Sequence, residues 1–239
     1  MKIFKTIIRI DYPLNYGLLD NLGQQLEFVH QRTLDDKDYV NSKGNIDFTK
    51  HSITQVGTCK KDDYSLNLSL KTIDITVNHN EGISLGYLAK GKLFKLYGEM
   101  LKKISVRLFD RIGMRFWVIL EDEKFQFDSI KEYITNSTSL FSEVFTEQFS
   151  DVSDVGLVYE TLGDNQNSRV LLGPYKDKEA AKYQFLNPNV NEGLILDIDL
   201  WESKIKTPEY NIQSNLISKL DTIKQITSAI EKKLKGVLP

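Results

Sequence analysis

Alternation of apolar and acidic residues near the carboxyl end most constrains what this chain can fold into. Between residues 194 and 201, leucine and isoleucine alternate with Asp197 and Asp199. Successive side chains of a β-strand point to opposite faces, so the two carboxylates share one face and the apolar side chains share the other. The segment therefore predicts a strand that buries one face only, as strands of antiparallel sheets often do.

A second strand pattern carries the opposite charge. Arg111, Gly113 and Arg115 fall on one face of a β-type run, and apolar residues occupy its other face. Two guanidinium groups on one face can bind a phosphate or a carboxylate, and a glycine lets a ligand or another backbone come close. The structural alternative is an ion-pair network with Asp197 and Asp199. We expect the two strands to lie near each other with their charges mostly satisfied. Arg111, Arg115, Asp197 and Asp199 are the candidate binding residues.

The rest of the chain shows strand and helix patterns in mixed order. Alternating or β-branched runs predict strands at 2–10, 53–78, 106–120, 155–161, 169–172 and 194–201. Apolar residues at intervals of three and four predict helices at 18–29, 93–104 and 212–234, and a capping box at 129–132 predicts the start of another. We expect an α+β fold, with a mainly antiparallel sheet flanked by amphipathic helices and a long C-terminal helix. One domain covers residues 1–239, with a subdivision near 121–154 left open.

Three local patterns carry more specific expectations. Residues 33–50 are rich in Asp, Lys, Asn and Gly, and they predict a solvated loop. The parity of the apolar positions changes at residues 71–72, which predicts a β-bulge near Lys71. Pro174 is expected to close the hairpin that the two preceding strands form.

Composition limits the classes of function. The net charge of −2, from 31 basic and 33 acidic residues, provides no overall field that would attract a polyanion. Cys59 is the only cysteine, so no internal disulfide is expected, and a cytoplasmic location is favoured. Lys5 and Arg9 interrupt the first apolar run before it reaches signal-peptide length. No run approaches the roughly 20 apolar residues of a membrane-spanning helix, so we expect no membrane association.

The motifs of familiar enzymes are absent from the sequence. Its three histidines lack metal-ligand spacing, and it contains no glycine-rich phosphate loop, dinucleotide fingerprint or nucleophile elbow. No cofactor is expected, and the sequence favours a non-catalytic protein while leaving an irregular active site open.

The two aspartates leave a metal-dependent alternative. Asp197 and Asp199 repel each other, and relief can come from a divalent cation, from the two arginines or from water. With a cation, the chain would be a metal-assisted phosphoester hydrolase in which Arg111 or Arg115 neutralises the phosphate. Whether a metal binds there is left open.

Lysines make the carboxyl-terminal portion the most basic part of the chain. They are Lys204, Lys206, Lys219, Lys224, Lys232, Lys233 and Lys235. One interpretation is a nucleic-acid-binding module that uses these lysines. The favoured interpretation is that they solubilise the outer face of an amphipathic helix.

The order of these features resembles a sporadically distributed, uncharacterised prokaryotic protein family. In that family a helix leads into an Arg-Ile-Gly-x-Arg-aromatic strand, and an Asp-bearing apolar strand precedes the final helix; the likeness covers mainly residues 87–239. The resemblance implies no activity, and it implies a mobile or defence-related gene neighbourhood. We therefore expect a non-catalytic, cytoplasmic accessory protein that binds a macromolecular partner, most readily a protein, and self-association is left open.

Overall fold

The computed structural model describes residues 1–34, 39–59, 62–89, 92–104, 106, 108–139, 153–164, 166–183, 185, 189–205 and 212–238. The strands are β1 (Lys2–Asp11), β2 (Tyr39–Asp47), β3 (Ser52–Cys59), β4 (Asp62–Ser69), β5 (Thr72–Ile83), β6 (Phe109–Leu120), β7 (Leu157–Thr161), β8 (Asn167–Lys176) and β9 (Glu192–Ile205). The described helices are α1 (Leu22–Leu34), α2 (Leu85–Ala89), α3 (Lys92–Lys103), α4 (Phe127–Ser137), α5 (Ala180–Tyr183) and α6 (Ile212–Lys235).

All nine described strands belong to one antiparallel sheet. Their order is β2-β3-β4-β5-β1-β6-β9-β8-β7, so β6 lies between β1 and β9 near the centre. The α+β fold class, the antiparallel sheet and the long C-terminal helix are confirmed. No described helix combines the length and the apolar composition that crossing a bilayer requires.

One face of the sheet, called the helix face below, forms the main hydrophobic core. Ile8, Met114 and Leu200 are neighbours across the three central strands, and all three are buried there. Helices α1, α3, α4 and α6 add apolar side chains to the same cluster. Each large apolar side chain buried in this way stabilises the fold by about 1.5–3 kcal/mol, so this cluster holds the sheet and the helices together.

The opposite face, called the open face below, carries the residues of the other parity. On the central strands the charged and tryptophan residues of this set include Lys5, Arg9, Arg111, Arg115, Trp117, Asp197, Asp199 and Trp201. At one end of this face, α5, Phe185 and Val190 pack with Phe4 and Tyr175, and the Phe4 and Phe185 ring centroids lie 5.1 Å apart. Among the described helices, α5 alone packs on this face, while the others contribute to the core on the helix face.

Two of the local expectations about turns and loops are wrong. Part of the predicted loop at 33–50 is strand β2, which pairs with β3 and packs against α1. The parity change near Lys71 is a hairpin turn between β4 and β5, in which Leu68 pairs with Ile73. The sequence numbers of two residues paired across a two-residue turn differ by an odd number. The buried positions therefore change from even to odd numbers at such a turn, just as they do at a bulge.

Two further expectations fail near β8. The helix whose start is predicted at 129–132 begins at Phe127. The backbone N–H of Phe127 donates to a carboxylate oxygen of Glu192 at 3.1 Å, so a side chain distant in sequence caps this helix. Pro174 lies inside β8 opposite Leu194 rather than at the end of a hairpin. The segment 140–152, within the subdivision left open at 121–154, lies outside the described residues.

Candidate binding face

The arginine-bearing and aspartate-bearing segments lie side by side as β6 and β9. Arg115 binds Asp197 through two hydrogen bonds, Nε to Oδ1 at 2.8 Å and Nη2 to Oδ2 at 2.5 Å. Arg111 donates from Nη2 to Oδ2 of Asp199 at 3.0 Å. The residue directly opposite Arg115 is Asp199, so Arg115 reaches diagonally along the sheet to Asp197. The expected proximity and mutual pairing of these four side chains is therefore observed.

Two tryptophans complete this group of residues. The Arg115 guanidinium carbon lies 4.3 Å from the Trp117 ring centroid, and that of Arg111 lies 5.1 Å from the Trp201 ring centroid. Each guanidinium thus contacts a carboxylate and an indole ring, an arrangement in which cation–π attraction adds to the ion pair. Periodicity placed Trp117 and Trp201 on the same face as the charges, so they could have been found from the sequence.

Gly113 has a packing role at this site. It lies opposite Trp201, and a Cβ atom added to it would lie 3.4 Å from both Trp201 Cβ and Arg111 Nε. The space above this glycine is therefore bordered by side chains of the chain itself, at ordinary van der Waals distance. The sequence pattern predicts instead that a ligand or another backbone approaches at this glycine.

The charged groups are partly removed from water. The side chain of Arg115 is 38% exposed and that of its partner Asp197 is 15% exposed. Burial raises the pKa of Asp199, although Arg111 and Arg115 oppose this change. The hydrogen bond with Asp197 raises the pKa of Arg115, and burial together with the nearby Arg115 lowers the pKa of Lys5. The open face thus holds charges that neutralise one another in a partly dehydrated layer.

Hydrogen bonding continues across the rest of this face. Thr54 donates to Asn67 at 2.9 Å, and Asn67 donates to Asp74 at 3.0 Å, which links β3, β4 and β5. Burial raises the pKa of Asp74 as well. On β1, Arg9 donates to Asp11 at 2.8 Å. Many polar side chains of the open face are therefore already positioned by their neighbours.

The carboxylates at the centre of the site bind guanidinium groups. Asp197 and Asp199 offer oxygen ligands that suit a hard divalent cation, but both accept hydrogen bonds from arginine. Within the part of the chain that the structure describes, no group of three or more His, Cys, Asp or Glu residues is arranged to hold a metal ion. A cation at this place would have to displace an arginine.

The carboxyl-terminal lysines occupy different environments. Lys219 is 0% exposed, and its ammonium lies 2.6 Å from Glu202 on the helix face. Its expected place on a solvated outer face is therefore wrong. Lys235 binds both Asp122 and Glu231, whereas Lys224, Lys232 and Lys233 are exposed. Lys206 and the side chain of Lys204 lie outside the described residues.

A second polar group, which the sequence reasoning missed, lies beneath the helices. Nε2 of His79 lies 3.0 Å from the Thr6 hydroxyl, and Nδ1 lies 2.7 Å from a carboxylate oxygen of Asp62. Hydroxyl, imidazole and carboxylate stand in the order of a hydrolase triad. Thr6 and His79 are buried, however, so this group acts as an internal polar link between β1, β4 and β5. The signal was available, because His79 continues the buried parity of β5 beyond Val77.

Comparisons with known proteins assign no family to this arrangement. No protein-family model matches the chain, and no curated protein has a significantly similar sequence. The family resemblance described from the sequence therefore stays a prediction.

Proposed function

We propose that this chain is a non-catalytic, cytoplasmic accessory protein that binds a protein partner through the centre of the open face. The observation that carries the proposal is the pair of half-buried tryptophans, Trp117 and Trp201, each in contact with a guanidinium on a face where α5 is the one described helix that packs. Tryptophan and arginine are the residue types that most often dominate the binding energy of protein interfaces.

The charge arrangement favours a protein over a nucleic acid. Arg111 and Arg115 already bind Asp199 and Asp197, so a phosphate would have to compete with a carboxylate for each guanidinium. Burial of Lys219 further weakens the basic patch that nucleic-acid binding requires. A protein surface, by contrast, can cover the indole rings while leaving both ion pairs intact.

The family resemblance described from the sequence points to the gene neighbourhood in which the binding partner is encoded. It implies gene neighbourhoods of mobile or defence-related prokaryotic systems, in which accessory proteins join larger assemblies. The products of the neighbouring genes are accordingly the first partners to test.

The experiment is calorimetry of the purified chain with each purified product of a neighbouring gene. We expect Trp201→Ala to weaken binding by at least about tenfold, as hot-spot truncations do. The matched control is Tyr16→Ala, because Tyr16 is an exposed aromatic residue outside the sheet. Equal binding by wild-type protein and Trp201→Ala would show that the open face is not the docking site.

Two further titrations test the alternatives. The hydrolase alternative predicts heat of binding with magnesium or manganese ions that is lost in Asp197→Asn. The nucleic-acid alternative predicts DNA or RNA binding that weakens steeply with added salt and is reduced in Lys224→Ala. Our proposal predicts neither result.

A further inference from the structure

The sheet ends in two edge strands of opposite character. Edge strand β2 has a register shift between Val40 and Lys43, and it exposes Lys43 and Gly44. Irregular register, lysine and glycine all hinder pairing with a further strand. Edge strand β7 pairs with β8 without a register shift, and its five residues include no lysine, glycine or proline. Within the described residues, the β2 edge therefore carries features that hinder strand addition, and strand β7 itself carries none of them.

The exposed apolar side chains of β7 lie on both faces of the sheet. Val158 is 50% exposed on the open face, opposite Leu171, and Tyr159 is 58% exposed on the helix face, opposite Val170. A partner lying flat on one face would cover one of these side chains and leave the other in water. An added strand brings side chains to both faces, so this exposure pattern fits an edge-on occupant.

We propose that the occupant is β7 of a second copy of this chain, paired antiparallel about a two-fold axis through Tyr159. Tyr159 is the midpoint of Leu157–Thr161, so this is the register that pairs all five residues. It places Tyr159 opposite its counterpart, and aromatic cross-strand pairs stabilise antiparallel sheets. A register centred on Glu160 would instead oppose two like charges.

Charge and symmetry both suit this pairing. Glu160 lies opposite Arg169 of its own β8, so each copy places a cation beside this carboxylate on the same face of the sheet. Because the other edge is protected, association through β7 stops at two copies and forms a closed dimer rather than a filament. The two open faces would then lie side by side on one continuous sheet, and the dimer would present two copies of any partner-binding surface on them.

Sedimentation of this 239-residue chain between about 1 and 100 µM tests the proposal, since the dimer fraction of a reversible dimer rises with concentration. We expect a monomer–dimer equilibrium in the wild-type protein. Tyr159→Lys places two lysines opposite each other and should weaken dimerisation about tenfold or more. The matched control is Phe48→Lys, because Phe48 follows β2 at the protected edge and is 77% exposed. This control should dimerise like the wild-type protein.

A charge exchange tests the register itself. Tyr159→Lys and Tyr159→Glu should each be mainly monomeric, and an equimolar mixture should form a heterodimer, because residue 159 faces residue 159. Thermal melts of both variants check folding, which should survive because this side chain is largely exposed. A wild-type protein that stays monomeric at the highest concentration overturns the proposal. A dimer that persists in Tyr159→Lys, or a mixture without heterodimer, overturns it equally.

Discussion

Ion pairs on the two sides of β9 have similar geometry and different physical consequences. On the open face, Arg115 and Asp197 bind each other beside water, and the arginine side chain is 38% exposed. On the helix face, Glu202 binds Lys219, whose side chain has no exposure. Surface pairs contribute about 0–1 kcal/mol to stability, whereas breaking a buried pair leaves one charge buried with neither a partner nor water around it. The buried pair on the helix face is therefore expected to contribute more to the stability of the fold than the partly hydrated pair on the open face.

The largest effect that distinguishes the two faces is expected from Glu202→Ala. This change removes the carboxylate that compensates a fully buried ammonium, so the free energy of unfolding should fall by about 3–5 kcal/mol, measured by urea denaturation. The double variant Glu202→Leu with Lys219→Met removes both charges and should recover most of that loss. If Glu202→Ala is as stable as the wild-type protein, the pair is not structurally important.

A smaller loss is expected from His79→Leu. The change leaves the Thr6 hydroxyl and the Asp62 carboxylate without their imidazole partner, at a cost of about 1–3 kcal/mol in urea denaturation. The control is His51→Asn, because His51 is exposed and has a positive φ of 48° that asparagine tolerates. Comparable stability of the two variants would contradict a structural role for the buried histidine.

The pH dependence of stability should also reflect the titration of the buried Lys219 on the helix face. Burial lowers the pKa of Lys219 below its ordinary value of 10.5. Between the lowered value and 10.5 the unfolded chain binds more protons than the folded chain, so this group makes stability rise with pH. Urea denaturation across that range should show the wild-type protein gaining stability relative to Lys219→Met. A constant difference between the two proteins would contradict the lowered pKa.

The smallest effect on stability is expected on the open face. Arg115→Ala should lower the free energy of unfolding by no more than about 1 kcal/mol, because a partly hydrated pair loses little when it is broken. The same variant should weaken partner binding, measured by calorimetry, since it removes the cation that contacts Trp117. A large loss of stability in this variant would contradict this expectation and show that the ion pair is important for the stability of the fold.

Elements with strong periodicity can be predicted from the sequence, whereas elements that depend on contacts with neighbouring segments cannot. The buried parity of β6 and β9 followed from alternation, and the long stripe of α6 followed from spacing of three and four. β2 was missed because few of its residues are apolar, and its place comes from pairing with β3 and packing against α1. The start of α4 was misplaced because its cap, Glu192, is distant in the chain.

The candidate site likewise has features that a single strand predicts and features that depend on tertiary contacts. The shared face of Arg111 and Arg115, and that of Asp197 and Asp199, could be derived from each strand alone. The choice of Asp197 as the partner of Arg115, rather than the directly opposite Asp199, depends on side-chain reach across two paired strands. The burial of Lys219 beside Glu202 likewise depends on how α6 packs on the sheet.

The local sequence of each strand and helix is enough to tell which of its side chains face the core, because backbone geometry sets the period of two or 3.6 residues within each segment. Tertiary structure alone decided that β6 lies between β1 and β9, and so brought together side chains 82 and 88 residues apart. The physical reason is that strand order follows from burying apolar surface across the whole sheet, a quantity that no single segment contains.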